Sequence, residues 1–198
     1  MGDVDVTASA GLPDATVDQL RRSLNGQLLL PGEPSYDDAR TVWNGMIDKR
    51  PALIARCTNT SDVVAGVNFA REHNLLVAVR GGGHSAAGHA VCDDGLMIDL
   101  SLMNDVQVDP EARTARVGGG TLWSDFDREA QVHGLATTGG TFSGTGVGGL
   151  TLGGGYGFLA GKYGLACDNL LSAEVVTADG SVLTASNDEN ADLFWGLR

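Results

Sequence analysis

The strongest constraint on this chain is where its glycines fall: 29 of its 198 residues are glycine, and they gather at 81–83, 118–120 and 139–157. Average usage is roughly 7%, so the excess is about twofold, and it shows no collagen period. Glycine lets the backbone turn sharply or approach another group closely, at a cost in chain entropy. Three separate clusters therefore read as several places where backbone meets a ligand, rather than as one flexible linker. The rest of the chain has an ordinary apolar content of 42%, enough to bury a core in one large domain or two small lobes without disulfides.

Charge and cysteine content exclude several classes. With 25 acidic residues against 13 basic, the net charge is −12, and a nucleic-acid face needs the opposite sign. Aspartate dominates and lysine is confined to Lys49 and Lys162, a balance that fits a high-salt setting as well as compositional drift. Cys57, Cys92 and Cys167 are odd in number, far apart and without a CxxC, which predicts free thiols in a reducing compartment. Residues 1–19 carry neither a basic stretch nor an apolar one, and no apolar run reaches the roughly 18 residues of a membrane span. The chain reads as soluble and cytoplasmic.

Hydrophobic periodicity sets out the elements. A leading segment, 1–30, is polar and frayed over 1–12, then forms a short helix over 15–26 with Thr16 near its N-cap and Gly26 closing it. The apolar runs 52–57 and 75–79 read as strands. Between them lies a helix over 58–74, capped by Thr60 or Ser61, that would bury Val63, Val64, Val67 and Ala70. Strand, helix and strand with short joints make a βαβ unit with parallel strands. Further strands fall at 95–103, 105–109, 114–119 and 173–186, with turns at 109–112 and 178–180, the latter a hairpin on Asp179-Gly180. A helix over 121–134 would turn Trp123, Phe126, Ala130 and Val132 inward and end at Gly134. The expectation is an α+β body, 31–198, in two lobes of about 50–108 and 109–198: βαβ first, then a mainly antiparallel sheet with helices.

Two glycine stretches carry the candidate chemistry. In VRGGGHSAAGH (79–89), successive N–H groups after a strand form an anion-binding nest, and bare Cα atoms let a pyrophosphate approach. Ser85 adds a hydroxyl and Arg80 a charge; a tight glycine turn with His84 exposed is the alternative. In GGTFSGTGVGGLTLGGGYG (139–157), Gly144, Gly146 and Gly149 match G-x-G-x-x-G. Yet no strand ends at Gly144, no clear helix follows, and no acidic residue falls on a second strand about twenty residues on, which excludes a Rossmann nicotinamide site. The stretch reads instead as extended backbone along a long ligand, with a loop packed on a helix as the alternative. His84, His89 and Cys92 offer the three ligands of a small zinc enzyme, but without helical spacing or a second cluster, so no metal is expected. Neither G-x-S-x-G nor a P-loop lysine motif occurs, which removes serine-hydrolase and nucleotidase readings.

Taken together and in order, the stretches 36–57, 61–88, 95–109, 139–180 and 192–198 resemble the FAD-binding (PCMH-type) domain of the vanillyl-alcohol-oxidase and berberine-bridge-enzyme-like FAD-linked oxidoreductases. They cover nearly everything beyond residue 30. The resemblance implies FAD as cofactor, joined covalently to the ring of His84. It places Gly81, Gly82, Gly83 and Ser85 at the pyrophosphate, and counts Arg80 and Gly88 among the cofactor-binding residues. Leu100, between Asp99 and Ser101, would lie near the flavin. Thr145, Gly146, Gly149, Gly153 and Gly154 would follow the ribityl and phosphate chain, and Val176 beside Val175 would sit near the adenine.

Some members of that family add a second bond from a cysteine before G-V-G-G. Here that segment reads Phe142-Ser143-Gly144-Thr145, so a single tether is implied. The implied activity is oxidation of an alcohol-, sugar- or amine-type small molecule by hydride transfer to the flavin, with oxygen or another acceptor reoxidising it. The catalytic base stays unassigned; His89 and Tyr156 are only neighbours. Family members continue past D-L-F-W-x-L-R into a substrate domain. The chain therefore resembles a piece cut before that domain, or one half of a split protein whose C-terminal half is a second chain. A non-catalytic FAD-binding or partner-subunit module is the alternative from another class.

Overall fold

The computed structural model describes residues 11–198, so the stretch expected to fray over 1–12 falls almost wholly outside the described residues. A four-stranded sheet organises the first half: β1 (Gln27–Leu29), β2 (Leu53–Arg56), β3 (Val77–Arg80) and β4 (Leu96–Asp99), in the order β1-β2-β4-β3. β2 and β3 are parallel, as the βαβ pattern requires, but they are not neighbours. β4 lies between them and parallel to both, with Leu96 opposite Leu53 on one side and Val77 on the other. Composition explains the insertion. β4 reads Leu-Met-Ile-Asp and is buried throughout, so it needs cover on both faces and both edges. β3 leaves Val77 and Val79 partly exposed and suits an edge. β1 closes the other edge antiparallel to β2, and Arg21 Nη1 donates to the carbonyl of Leu28 at 2.9 Å, blunting that edge.

Alternation along the strands sorts the core into two layers. Leu53, Ala55, Leu96 and Ile98 pack with Leu20, Phe69 and Ala70 under α1 (Asp14–Ser23) and α3 (Thr60–Glu72). Ile54 and Met97 pack with Leu29, Tyr36, Val42 and Val91 on the face of α2 (Tyr36–Arg40). The helix details depart from expectation in instructive ways. α1 starts from Pro13, with Thr16 inside its first turn, and ends at Ser23. Gly26 does not cap it but packs on Arg56, where a Cβ would meet the carbonyl oxygen at 1.9 Å. α3 is capped by Asn59, whose side chain accepts from Asp62 N at 3.0 Å. Its buried face centres on Gly66, Phe69 and Ala70, with Val63 and Val67 at the margin and Val64 only partly buried.

The second half carries two separate hairpins rather than one sheet. β5 (Val106–Asp109) and β6 (Thr114–Val117) turn where Asp109 Oδ1 accepts from Glu111 N and Ala112 N. β7 (Ser172–Val176) and β8 (Val182–Ser186) turn at Asp179-Gly180 as read, with Gly180 at φ +83°. Trp123, Phe126 and Ala130 of α4 (Trp123–Val132) form a core with Val147, Ala166 and partly buried Val106, Val117 and Leu150. Val132 is exposed instead of inward: it lies two residues past Ala130, on the opposite side of the helix. The β7–β8 hairpin sits against α3, where Thr60 Oγ1 donates to Glu174 Oε1 at 2.6 Å. Three short helices complete the fold: α5 (Val147–Leu152), α6 (Ala160–Tyr163) and α7 (Ala191–Gly196). α7 buries Phe194 and leaves Trp195 exposed. Among the described residues no helix is long and apolar enough to cross a membrane.

Cys57, Cys92 and Cys167 are free and buried. Burial pushes the Cys57 thiol up to about 12, with the charges of Asp62 and Asp99 adding to it, and burial raises Cys92 as well. A thiolate is the reactive form. In mildly alkaline buffer the native chain should therefore react with a thiol reagent at Cys57 and Cys92 only as fast as it unfolds. Rapid labelling of either residue in folded protein would contradict this burial.

Candidate functional site

The loops that leave the carboxyl ends of β2, β4 and β3 lie where open α/β sheets place ligands. Arg56, Asp99 and Arg80 stand in one row across that end. Asp99 is fully buried; Arg56 Nε donates to its Oδ2 at 3.2 Å, and Ser101 donates to the same carboxylate through N and Oγ. Arg80 turns away from it. Its Nη1 donates to the Ala39 carbonyl at 2.5 Å, and its Nε is buried without a hydrogen-bond partner among the described residues.

The three glycine clusters meet after β3. A Cβ on Gly82 would lie 2.4 Å from Gly146 N, one on Gly146 would lie 2.5 Å from Gly82 N, and one on Gly81 would lie 2.9 Å from Gly119 O. Favourable carbon contacts fall near 3.5–4.0 Å (roughly), so here backbone packs directly on backbone. Part of the glycine excess thus serves backbone-to-backbone contact within the chain. Other positions are open: Gly149, in α5, has nothing within 4 Å of where its Cβ would stand.

Gly83 takes φ +66°, in the left-handed region, and its carbonyl accepts from Trp43 N at 3.0 Å. This places the His84 ring on Trp43, with centroids 4.3 Å apart and planes 22° from parallel. Phe142 tilts against His84 from the third cluster, at 5.5 Å and 48°. His84 is therefore half-buried between two aromatic rings, and its Nε2 is buried with no partner among the described residues. The alternative of a bare turn with an exposed histidine does not hold.

The remaining candidates divide by position. Ser85 shapes the loop, its carbonyl accepting from Gly88 N and its Oγ from His89 N, while Lys49 Nζ donates to the Gly88 carbonyl at 3.0 Å. Leu100 N donates to the Arg80 carbonyl, and its side chain lies under Gly119. The Thr145 carbonyl accepts from Trp123 N, and Gly146 opens α5, a helix hidden in the sequence by its two glycines, with no side chain capping it. Gly153 and Gly154 follow α5, and the Gly154 carbonyl accepts from Cys167 N. Val176 pairs with Val182 on the β7–β8 hairpin and takes no part in the glycine contacts. His89 and Tyr156 are exposed, and Cys92 points its thiol toward the Leu76 carbonyl; no group of three or more metal-ligating side chains forms among the described residues. Trp43 is a participant that the sequence did not single out, and Gly119 was marked there only as part of the 118–120 cluster. The signal for Trp43 is local, an aromatic among turn residues in Val-Trp-Asn-Gly.

A mostly parallel sheet with glycine-rich loops at its carboxyl end is an arrangement in which open α/β sheets hold nucleotide cofactors. The FAD binding domain family matches residues 51–186, and the chain belongs to it, as a PCMH-type FAD-binding domain of the berberine-bridge-enzyme-like FAD-linked oxidoreductases. Among its relatives, (R)-6-hydroxynicotine oxidase of Paenarthrobacter nicotinovorans is 43% identical over 176 residues, covering 89% of this chain and 38% of that protein. The crystal structure of 6-hydroxy-D-nicotine oxidase from Arthrobacter nicotinovorans matches with a TM-score of 0.87 at 43% identity, covering 89% of this chain and 39% of that one. Glucooligosaccharide oxidase from Acremonium strictum, described with a 6-S-cysteinyl, 8α-N1-histidyl FAD, matches at 0.86 and 35% identity, covering 92% and 39%. The chain thus spans 38–39% of the length of these relatives.

Proposed function

We propose that the chain is the FAD-holding half of an oxidoreductase that oxidises an alcohol-, sugar- or amine-type small molecule, with the flavin tethered to His84 and dioxygen or another acceptor taking the electrons. The observation that carries this reading is the half-buried His84 ring at the convergence of the three glycine clusters, with Arg80 behind it. At this place Arg80 Nε is buried without a partner among the described residues, and a buried unpaired donor calls for an acceptor. A guanidinium N–H and a run of side-chain-free backbone suit a pyrophosphate. When bound, FAD supplies the hydride-accepting chemistry, and the chain supplies position and field.

The chain's own residues divide that task. Gly81, Gly82, Gly83 and Ser85 present backbone and hydroxyl donors, Arg80 supplies the positive charge, and the stretch from Thr145 to Gly154 lines the cofactor's length. The histidyl link described for the Acremonium enzyme supports the tether at His84. The Phe142–Thr145 stretch offers no cysteine, and Cys57, Cys92 and Cys167 are all buried, which supports a single bond. Incubation with FAD followed by desalting should leave stoichiometric flavin on the chain. A chain that stays folded by circular dichroism yet elutes free of flavin would overturn this reading.

A further inference from the structure

We infer that Trp43 is the positioning residue for His84, holding the imidazole so that Nδ1, the N1 position bonded to FAD in the Acremonium enzyme, is the nitrogen offered to the flavin; this rests on the tether proposed above. Trp43 is 60% exposed, and the ring it does cover is that of His84. Its own position is fixed by a brace. Trp43 N donates to the Gly83 carbonyl, Asn44 Nδ2 to the Ala86 carbonyl at 2.9 Å, and Lys49 Nζ to the carbonyls of Gly88 and Val91, with Ile47 against Gly88. Segment 43–49 therefore runs along loop 83–91 and ties the indole to the imidazole it stacks on.

The two ring nitrogens are unequal in this arrangement. Nε2 is buried, while Nδ1 has no hydrogen bond among the described residues and is not among the buried unpartnered atoms. Attachment needs an open nitrogen. The bond formed is Nδ1 to the 8α carbon, and the bond broken is one C–H of that methyl group. With FAD bound, the two electrons and two protons lost, one proton from the methyl carbon and one from the imidazole, would leave on dioxygen as hydrogen peroxide.

The test is to follow covalent incorporation of FAD into wild type, Trp43→Phe, Trp43→Leu and Trp43→Ala. Digestion of each product and comparison with authentic N1- and N3-histidyl flavins identifies the isomer. Wild type and Trp43→Phe should give only the N1 (Nδ1) isomer. Trp43→Ala and Trp43→Leu should attach flavin about tenfold more slowly, equivalent to one stacking contact of about 1.4 kcal/mol, and should give both isomers. Because the indole is mostly exposed, melting temperature should hardly move. A wild-type N3 linkage, or Trp43→Ala that attaches as fast as wild type with the same isomer, would overturn the role of Trp43 alone. Absence of any covalent flavin in wild type would overturn the tether and this inference together.

Discussion

Gly82→Ala is expected to lower the stability of the chain by on the order of 3 kcal/mol and to abolish FAD binding. The added Cβ would stand 2.4 Å from Gly146 N and 2.5 Å from its Cα, with Leu122 Cδ2 at 3.0 Å. Two backbones cannot yield as a flexible side chain would, so the loop that carries His84 must separate from the third glycine cluster by about an ångström or more. For a chain of this size that penalty corresponds to a fall in melting temperature on the order of 6–12 °C. Gly149→Ala is the contrast. It adds a methyl group where nothing lies within 4 Å, inside a helix, so the fold should keep its stability or gain about 0.5–1 kcal/mol. If the cofactor runs along this stretch, that variant should still lose FAD affinity. Thermal melts and FAD titrations on the two variants separate packing from ligand contact. A Gly82→Ala protein that melts with wild type would refute the backbone-on-backbone account.

Asp62→Ala should cost about 3–5 kcal/mol, because it leaves several part-buried neutral donors without their acceptor at about 1–3 kcal/mol for each one not reached by water. Asp62 is fully buried at the start of α3, and its carboxylate accepts from Asn25 N, Asn25 Nδ2, Gly26 N, Thr58 N and Thr58 Oγ1 at 2.8–3.1 Å. One side chain thereby joins the α1–β1 turn to the β2–α3 loop. Burial on its own pushes its pKa up, but the hydrogen bonds from Thr58 and Asn25 outweigh that and hold it below the ordinary carboxylate value. A depressed folded-state pKa contributes stability that is fully present above the unfolded value of about 4 and lost as pH falls through the folded value. The stability gap between wild type and Asp62→Asn should therefore be constant near neutrality and narrow as the solution is acidified below about pH 4. Urea melts across that range measure it, and a gap that widens on acidification would contradict the sign.

Much of the first lobe was legible because its signals are local. Apolar runs of strand length flank a helix with a polar start; in the second lobe Asp179-Gly180 likewise marks its own hairpin. The place of β4 was not legible: a run of Leu-Met-Ile says that a strand is buried, not which strands flank it, and only closing the sheet puts it between β2 and β3. α5 was hidden because Gly148 and Gly149 carry almost no helix propensity and the helix is held by its surroundings. At the site, the importance of the glycine clusters could be read, but their mutual contact could not, since Gly82 and Gly146 are far apart in the chain. For the same reason the His84–Trp43 stack, joining residues on opposite sides of β2, α3 and β3, left no pattern in the sequence.

The central claim, a flavin held by this chain through His84, meets its most direct test in acid precipitation of the FAD-loaded protein. The account predicts yellow colour in the pellet for wild type and in the supernatant for His84→Ala. Wild-type colour that leaves with the supernatant, or a His84→Ala pellet that stays yellow, would contradict it.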